Sequence, residues 1–400
     1  MSAADYVIRV LNSPLELDAH AWNALLCAQS QPNPFLRHEY LAALHTSGCA
    51  VPQTGWTPRF LTLWQRDASG ELQLCAACAL YLKTHSQGEY VFDWAWAKAY
   101  AEHGLAYYPK ALAAVPFTPV PGSRLLAVNG AARAALLHAL LRWCEEQQLS
   151  SLHLLFIAAD DEAVCAQAGL MLRHNVQFHW NNDGYQDFDQ FLQALTQDKR
   201  KKIRQERRKV SDAGVLIRAA RGTEIRAEDW DFFYNCYERT YLEHGNAPYL
   251  NRRFFEAMAH TMAPNWLLFV AERDGRPIAA SLIGLSDALP LDSSKPQVAY
   301  GRYWGALERV DCLHFELCYY QPLEWCIAHG VQRFEGGAQG EHKMARALLP
   351  VKTSSAHWLA HPAFADAVQR FLEREGQGIE GYLDDLEQRS PLRQSHTVEK

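Results

Sequence analysis

Apolar positions along the chain switch between two spacings, every second residue and every third or fourth, and the switches come in much the same order in each half. In the second half, Val215 to Ala219 alternates as a strand, while Glu228 to Glu243 and Asn251 to Met262 carry helical spacing. Two apolar runs, Trp266 to Glu272 and Pro277 to Ser286, flank Asp274-Gly275, the dipeptide of a tight hairpin. A strand at Val298 to Trp304, a long helix from Cys312 to His329, a strand at Val331 to Glu335 and a helix near Ala363 to Glu375 complete that half. In the first half, Tyr6 to Leu11 reads as a strand and Leu17 to Ala28 and Glu39 to His45 as helices. Arg59 to Gln65 and Glu71 to Leu82 form a hairpin over Asp67 to Gly70, followed by a helix at Ala131 to Gln148 and a strand at Ser151 to Ile157. The pattern predicts an α/β (α+β) protein of two similar domains, residues 1–190 and 213–382, each a mixed, mostly antiparallel sheet flanked by helices. A helix at 191–212 joins them, and a polar tail, 383–400, frays at the end.

Composition adds a constraint on partners. Hydrophobic residues at 48% and charged residues at 21% are ordinary globular usage and exclude wholesale disorder. The net charge of −6 hides one inversion: Lys199 to Lys209 holds eight basic residues and one acid. Counted from Asp198 that stretch is +6 and everything else is −12, so what meets it is anionic, either a ligand or the acidic body of the protein itself. The N-terminus, MSAADYVIRVLNS, lacks a basic segment followed by an apolar one, and the longest purely apolar stretch, Leu74 to Leu82, falls short of the roughly 18 residues of a membrane span. A soluble, cytoplasmic protein is expected. Ten cysteines, most inside apolar patterns, fit reduced core thiols. Cys75-Ala-Ala-Cys78 lies in a strand, where positions i and i+3 face opposite sides, so neither a redox pair nor a metal site is expected. His314-Phe-Glu316 lacks the P-C-x-x-C of the zinc deaminases, and no phosphate-loop, dinucleotide or nucleophile-elbow motif occurs.

Strand, two helices, antiparallel hairpin, strand, helix, strand is the order of the GNAT acyltransferase fold, and two such units in tandem resemble the Fem-type peptidyltransferases. NPFLRHEYLAAL from Asn33, GEYVFDWAWA from Gly88, YYPK from Tyr107, PFTPVPG from Pro116, LHFELCYYQ from Leu313 and RFEGGAQGEHK from Arg333 resemble one group more closely. That group is the FemAB-like N-acyltransferases, of peptidoglycan biosynthesis or recognition type, and the resemblance runs from about residue 5 to 380. It implies tandem GNAT-like domains and an N-acyltransferase using acyl-CoA as co-substrate and a small-molecule or peptide amine as acceptor. GNAT enzymes usually hold the CoA pyrophosphate on a Gln/Arg-x-x-Gly-x-Gly/Ala loop at a helix N-terminus. Here that place reads GALERVDCLHFEL, from Gly305, without the motif. The departure keeps open a second donor, aminoacyl-tRNA, with a cell-wall precursor as acceptor, and a third reading in which the fold binds a ligand or RNA without catalysis.

Acyl transfer to an amine needs a base for the amine proton, donors for the oxyanion and a proton for the leaving group. Phe334 to Arg346 offers glycines for an irregular loop after a strand, with Glu335, Gln339, Glu341, His342 and Lys343 within a few residues. The competing reading is a solvated loop. His314 to Tyr320 is the second candidate: His314 and Cys318 share one helical face and Glu316 and Tyr320 another, with Tyr319 as a further contact and Pro322 forcing a kink. These residues serve equally as core and cap. At helical spacing Arg200, Arg204, Arg207 and Arg208 form a face suited to phosphate, or else a strut on an acidic surface. In the first domain, Tyr90, Phe92, Trp94 and Trp96 alternate as in a strand, with Glu89 and Asp93 opposite and Tyr107, Tyr108 and Lys110 following. An aromatic wall beside carboxylates is suited to an acceptor amine, and equally to a core.

Overall fold

Asp274 and Gly275 both take left-handed backbone angles, φ 51° and 71°, which closes Trp266–Arg273 onto Arg276–Leu285 as the dipeptide predicts. Around this hairpin the second half of the chain builds its sheet. The computed structural model describes residues 6–286, 296–337 and 340–393. They divide into two compact units, one of residues 6–175 and 352–380, the other of residues 176–351 and 381–393.

The sheet of the second unit runs in the order Val215–Arg221, Trp266–Arg273, Arg276–Leu285, Val298–Ala306, Arg333–Glu335, then residues 176–181 of the strand Met171–Asn181. Every pairing is antiparallel except that of Val298–Ala306 with Arg333–Glu335. Helices Ala227–Glu243 and Arg252–Thr261 form where the periodicity predicts them. The long helix does not run uniformly. After Cys312, at φ 68°, Leu313–Phe315 is α-helical, Glu316–Tyr320 makes a π turn in which Gln321 N–H donates to Glu316 O, and Gln321–Ala328 is α-helical again. Pro322 carries no N–H for an ordinary helical bond to Cys318 O, so the chain widens one turn before it where a kink is expected.

Two expected boundaries shift. The basic helix, Gln197–Asp212, is not a free connector but part of the second unit: Ile203 and Val210 join its core, and buried Glu206 accepts hydrogen bonds from Tyr320 Oη and, at 2.9 Å, Arg346. The last helix, Pro362–Gln388, continues well past Glu375. Beyond it Thr196 N–H donates to Pro391 O at 2.9 Å and Leu392 packs on the core of the second unit, so the tail is ordered through residue 393. Gly376, Gly378 and Gly381 hide the helical spacing that Tyr382 and Leu386 continue.

In the first unit the expected strand Glu71 to Leu82 divides at Ala79. Leu72–Cys78 joins a four-stranded antiparallel sheet with Val7–Leu11, Phe60–Arg66 and Leu126–Ala127. Leu80–Lys83 goes to a second sheet with Trp56–Pro58, Lys110–Ala113, Ser151–Ile157 and residues 352–359 of the strand Leu349–Leu359. One core lies under helix Gly130–Glu146, and a second gathers Trp96, Tyr100, Tyr107, Leu359, Val368 and Leu372. All ten cysteines are free thiols.

Candidate active site

Val298–Ala306 and Arg333–Glu335 share only three paired positions, Val298 with Arg333, Ala299 with Phe334 and Tyr300 with Glu335. Past them the second chain turns away at Gly337, whose φ of 77° suits glycine, while the first strand continues to Ala306. A wedge opens between them. On the helix side it holds a cavity of about 120 Å³ lined by Ser281, Arg302, Trp304, His314, Cys318 and Tyr319, among others. Trp304 and His314 also line an outer groove of about 410 Å³ with Arg239, Leu307 and Arg309, so these two side chains stand between groove and cavity. Tyr319 Oη lies 3.2 Å from His342 Nε2. Burial lowers the His342 pKa, with Lys343 and Arg346 adding to it, and burial lowers His314 to about 4. Both imidazoles are therefore neutral near pH 7. Lys343 is buried, donates to Gly337 O at 3.2 Å and is pushed down to about 8 by burial. Arg346, on the same short helix Glu341–Arg346, lies 3.5 Å over the Phe315 ring and donates to His342 O at 2.7 Å, which fixes the backbone of that histidine.

Alternation along Arg333–Glu335 puts Phe334 on the cavity side and Glu335 on the other face. There Glu335 sits in register between Tyr300 and His179. It is 3% exposed; Arg333 reaches Oε1 at 2.9 Å, and Oε2 has no hydrogen-bond partner among the described residues. Burial pushes its carboxyl up to about 7 against the opposing pull of Arg333.

The other second-unit candidates do not meet the wedge. Glu316 points to the opposite side of its helix, where Arg207 Nε and Gln321 Nε2 donate to Oε1 at 3.0 and 2.8 Å. It is an ion-pair partner, contrary to the expected catalytic role, and it faces away from His314 because residues two apart on a helix point to different sides. Glu341 is exposed and takes Tyr382 Oη at 2.7 Å and Arg389 at 3.3 Å. Gln339 lies outside the described residues. Arg207 also meets Glu324 and Arg204 meets Asp189, whereas Arg200 and Arg208 make no ion pair among the described residues.

The first-unit candidates converge, but not as an open wall. Gly88 and Tyr90 take left-handed angles, φ 80° and 65°, which breaks the expected strand, and Trp94–Glu102 is a helix. Trp94 and Trp96, two residues apart on a helix, point different ways: Trp94 is 48% exposed and Trp96 is buried. Glu89 and Asp93 turn inward onto Lys110, which has no exposed surface and donates to Glu89 Oε2 at 2.7 Å, Ser86 Oγ at 2.8 Å and Asp93 Oδ2. Tyr107 Oη donates to Asp93 Oδ2 at 2.6 Å and lies 3.1 Å from His153 Nε2. His153 Nδ1 lies 2.8 Å from His357 Nδ1, and Tyr108 Oη 2.8 Å from Ser86 Oγ. The cation that these carboxylates hold is the chain's own Lys110, which displaces the expectation that they bind an acceptor amine.

Sequence reasoning missed Lys83, His153 and His357 here, and His179, Arg333 and Arg346 in the second unit. His357 lies on a strand whose buried polar residues, such as Ser355, lowered the strand signal, whereas His153 lies on an expected strand and reads there as one core position among apolar ones. Among the described residues no group of three or more His, Cys, Asp or Glu is placed to hold a metal ion, and no helix is long and apolar enough to cross a membrane.

The architecture is that of tandem GNAT-like folds, and comparison with known proteins gives the family. The family model FemAB-like, described as peptidoglycan biosynthesis/recognition, matches residues 13–394, so the chain belongs to the FemAB-like family. With this fold, that membership makes it a transferase. Solved structures share the fold at low identity. The L-PGS structure from Bacillus licheniformis is 10% identical at a TM-score of 0.52, covering 90% of this chain and 98% of that one. The C-terminal domain of a candidate lysylphosphatidylglycerol synthetase from Agrobacterium fabrum is 11% identical at 0.51, covering 88% and 94%. A conserved protein of unknown function from Bacteroides thetaiotaomicron is 10% identical at 0.50, covering 88% and 99%. No curated protein matches the sequence.

Proposed function

We propose that the protein is an N-acyltransferase that joins an acyl group, carried as acyl-CoA, to the amine of a cell-wall or lipid precursor in the wedge of the second unit. The family description supports a cell-wall precursor as acceptor, and the name of the Agrobacterium neighbour supports only the lipid character of the alternative, not its amine. One observation carries the chemistry: where the two parallel strands part, a buried carboxylate with a free oxygen, Glu335, stands on one face, and a Tyr319–His342 pair stands on the other. In this reading Glu335 Oε2 takes a proton from the attacking amine as the C–N bond forms. The C–S bond of the thioester breaks, and Tyr319 gives its hydroxyl proton to the departing sulfur. The tyrosinate recovers a proton through His342 from solvent, while Glu335 releases its own, so protons balance. The donor enters by the outer groove past Trp304 and His314.

The absent glycine loop favours a second donor, an aminoacyl ester of tRNA, on the same residues. Purified protein given labelled acyl-CoA or aminoacyl-tRNA with an amine-bearing cell-wall precursor, followed by mass analysis, separates the two. Glu335→Gln, Tyr319→Phe and His342→Ala are each expected to lower kcat/KM by about 10²- to 10⁴-fold. Undiminished turnover in all three rejects this site, and ligand binding without product from either donor favours a binding protein.

A further inference from the structure

Seen down its axis, the helix Gln197–Asp212 has two unlike sides. Ile203, Glu206 and Val210 are buried, whereas Gln197, Arg200, Lys201, Arg204, Gln205 and Arg208 line one continuous outer stripe of the i, i+3, i+4 kind. Four of those six are cations and two are amides, so up to Arg208 the stripe offers hydrogen-bond donors and no carboxylate. Among the described residues Arg204 is engaged by Asp189 at 3.3 Å, while Arg200, Lys201 and Arg208 have no acidic partner there. An internal strut on an acidic surface would pair its charges inward, as Arg207 does with Glu316 and Glu324. These cations instead leave a positive face over about 12 Å of helix, at about 1.5 Å per residue.

The adjoining groove, of about 800 Å³, shares Arg204 and Arg208 with this stripe, carries Asp187, Asp189, Glu316 and Glu324 on its other walls, and borders the edge strand Val215–Arg221. There Leu216 is 75% exposed, whereas Val215 and Val210, which also line the groove, are buried. A large exposed apolar side chain sharing a groove with the cation of Arg208 has no use against a phosphate backbone in water. It suits a surface that is anionic outside and apolar just beneath. None of the six stripe residues is aromatic, and base stacking is the usual means of holding single-stranded nucleic acid.

We propose that this helix face and Leu216 dock the protein onto an anionic lipid bilayer, the cations meeting headgroup phosphates and Leu216 entering the acyl boundary. The inference does not rest on the chemistry assigned to the wedge. Its test is co-sedimentation of the full chain with vesicles of phosphatidylcholine alone or with about one-third phosphatidylglycerol, at low and physiological salt. Binding is expected only to the anionic vesicles and is weakened by salt. The triple change Arg200→Gln, Lys201→Gln, Arg208→Gln should lower the partition coefficient at least about tenfold, since each cation near such a surface adds a multiplicative factor. Leu216→Asp should lower it further while circular dichroism stays unchanged; because these side chains are exposed, a variant that loses its dichroism is replaced by Arg208→Lys with Leu216→Ser, for which a smaller drop is expected. Equal binding to both vesicle types, unaltered binding of the variants, displacement by inorganic pyrophosphate beyond its ionic strength, or tighter binding to duplex RNA through the same residues would overturn the proposal.

Discussion

Glu335 and Glu89 are both pushed up to about 7 by burial, yet they are left in different situations. Glu89 has Lys110 at 2.7 Å and Lys83 at 3.9 Å, whereas Glu335 is met by Arg333 at 2.9 Å; among the described residues each carboxylate keeps one oxygen without a hydrogen bond. Two lysines hold the first carboxylate, and in the function proposed above the second takes the amine proton. A base with a value near 7 should give kcat/KM an acid limb that falls as pH drops through about 7, and Glu335→Gln should remove that limb along with most of the rate; a profile that keeps the limb in this variant assigns it elsewhere. Lys110→Met tests the other cluster. It leaves Glu89 and Asp93 buried without their cation, and about 3–5 kcal/mol of stability should go, read from the urea midpoint. The pH dependence of stability has a definite sign. Glu89 rises from an ordinary 4.5, so the folded chain keeps a proton that the unfolded chain sheds between about 4.5 and 7, and stability falls as pH rises across that window. Lys83 drops from 10.5 to about 7 by burial, so the unfolded chain holds a proton the fold has shed, and stability rises with pH above about 7. Glu89→Gln should flatten part of the acid-side slope, measured as urea midpoints at about pH 5 and about pH 7, leaving the part due to Glu335 and Asp161, which burial also raises.

At the scale of elements, the wedge depends on how closely the strand Val298–Ala306 approaches helix Ala227–Glu243. A Cβ on Gly305 would stand 2.0 Å from Cys236 O, and the obstacle is helix backbone, which cannot rotate away. Gly305→Ala should therefore push strand and helix apart and cost about 3 kcal/mol or more, seen as a lowered urea midpoint; a variant of wild-type stability would show that the two do not pack this tightly. Helices Ala227–Glu243 and Gly130–Glu146, which bury one face, were legible from their spacing, and the hairpin over Asp274-Gly275 and the strand Ser151–Ile157, buried on both faces, from their short apolar runs. Those that failed did so for identifiable reasons. Glu89 to Trp96 alternates as a strand should, but the left-handed Gly88 and Tyr90 and the pull of Lys110 on two carboxylates outweigh that pattern. Leu349–Leu359 buries Thr353, Ser354, Ser355 and His357, so a strand read by apolar alternation is invisible there. Of the site, the residue types in Phe334 to Arg346 and His314 to Tyr320 were legible, but their sorting was not. That Glu335 and Glu316 both face away from Tyr319 follows from a strand phase and a π turn, and neither is written in local composition.

For the whole molecule, tandem architecture was readable because each half repeats one order of elements, whereas the division of the chain between the units was not. Spacing along a sequence assigns residues 352–380 to the half in which they fall. The structure returns them to the first unit, where Ala356 fills one core and Leu359, Val368 and Leu372 close another over Trp96, Tyr100 and Tyr107, with His357 completing the chain of polar contacts through His153. A fragment ending at residue 190 therefore lacks a strand of its own sheet and the apolar lid over its aromatic cluster. Such a fragment should be expanded and poorly packed, with retained far-ultraviolet and weak near-ultraviolet dichroism, and should bind a hydrophobic dye. Supplying residues 352–380 as a separate peptide should restore the near-ultraviolet signal, because the peptide brings the missing apolar surface and His357 together. A fragment 1–190 that unfolds cooperatively by itself would contradict this, since it would mean that the core under Gly130–Glu146 is sufficient and the returning segment only decorates it.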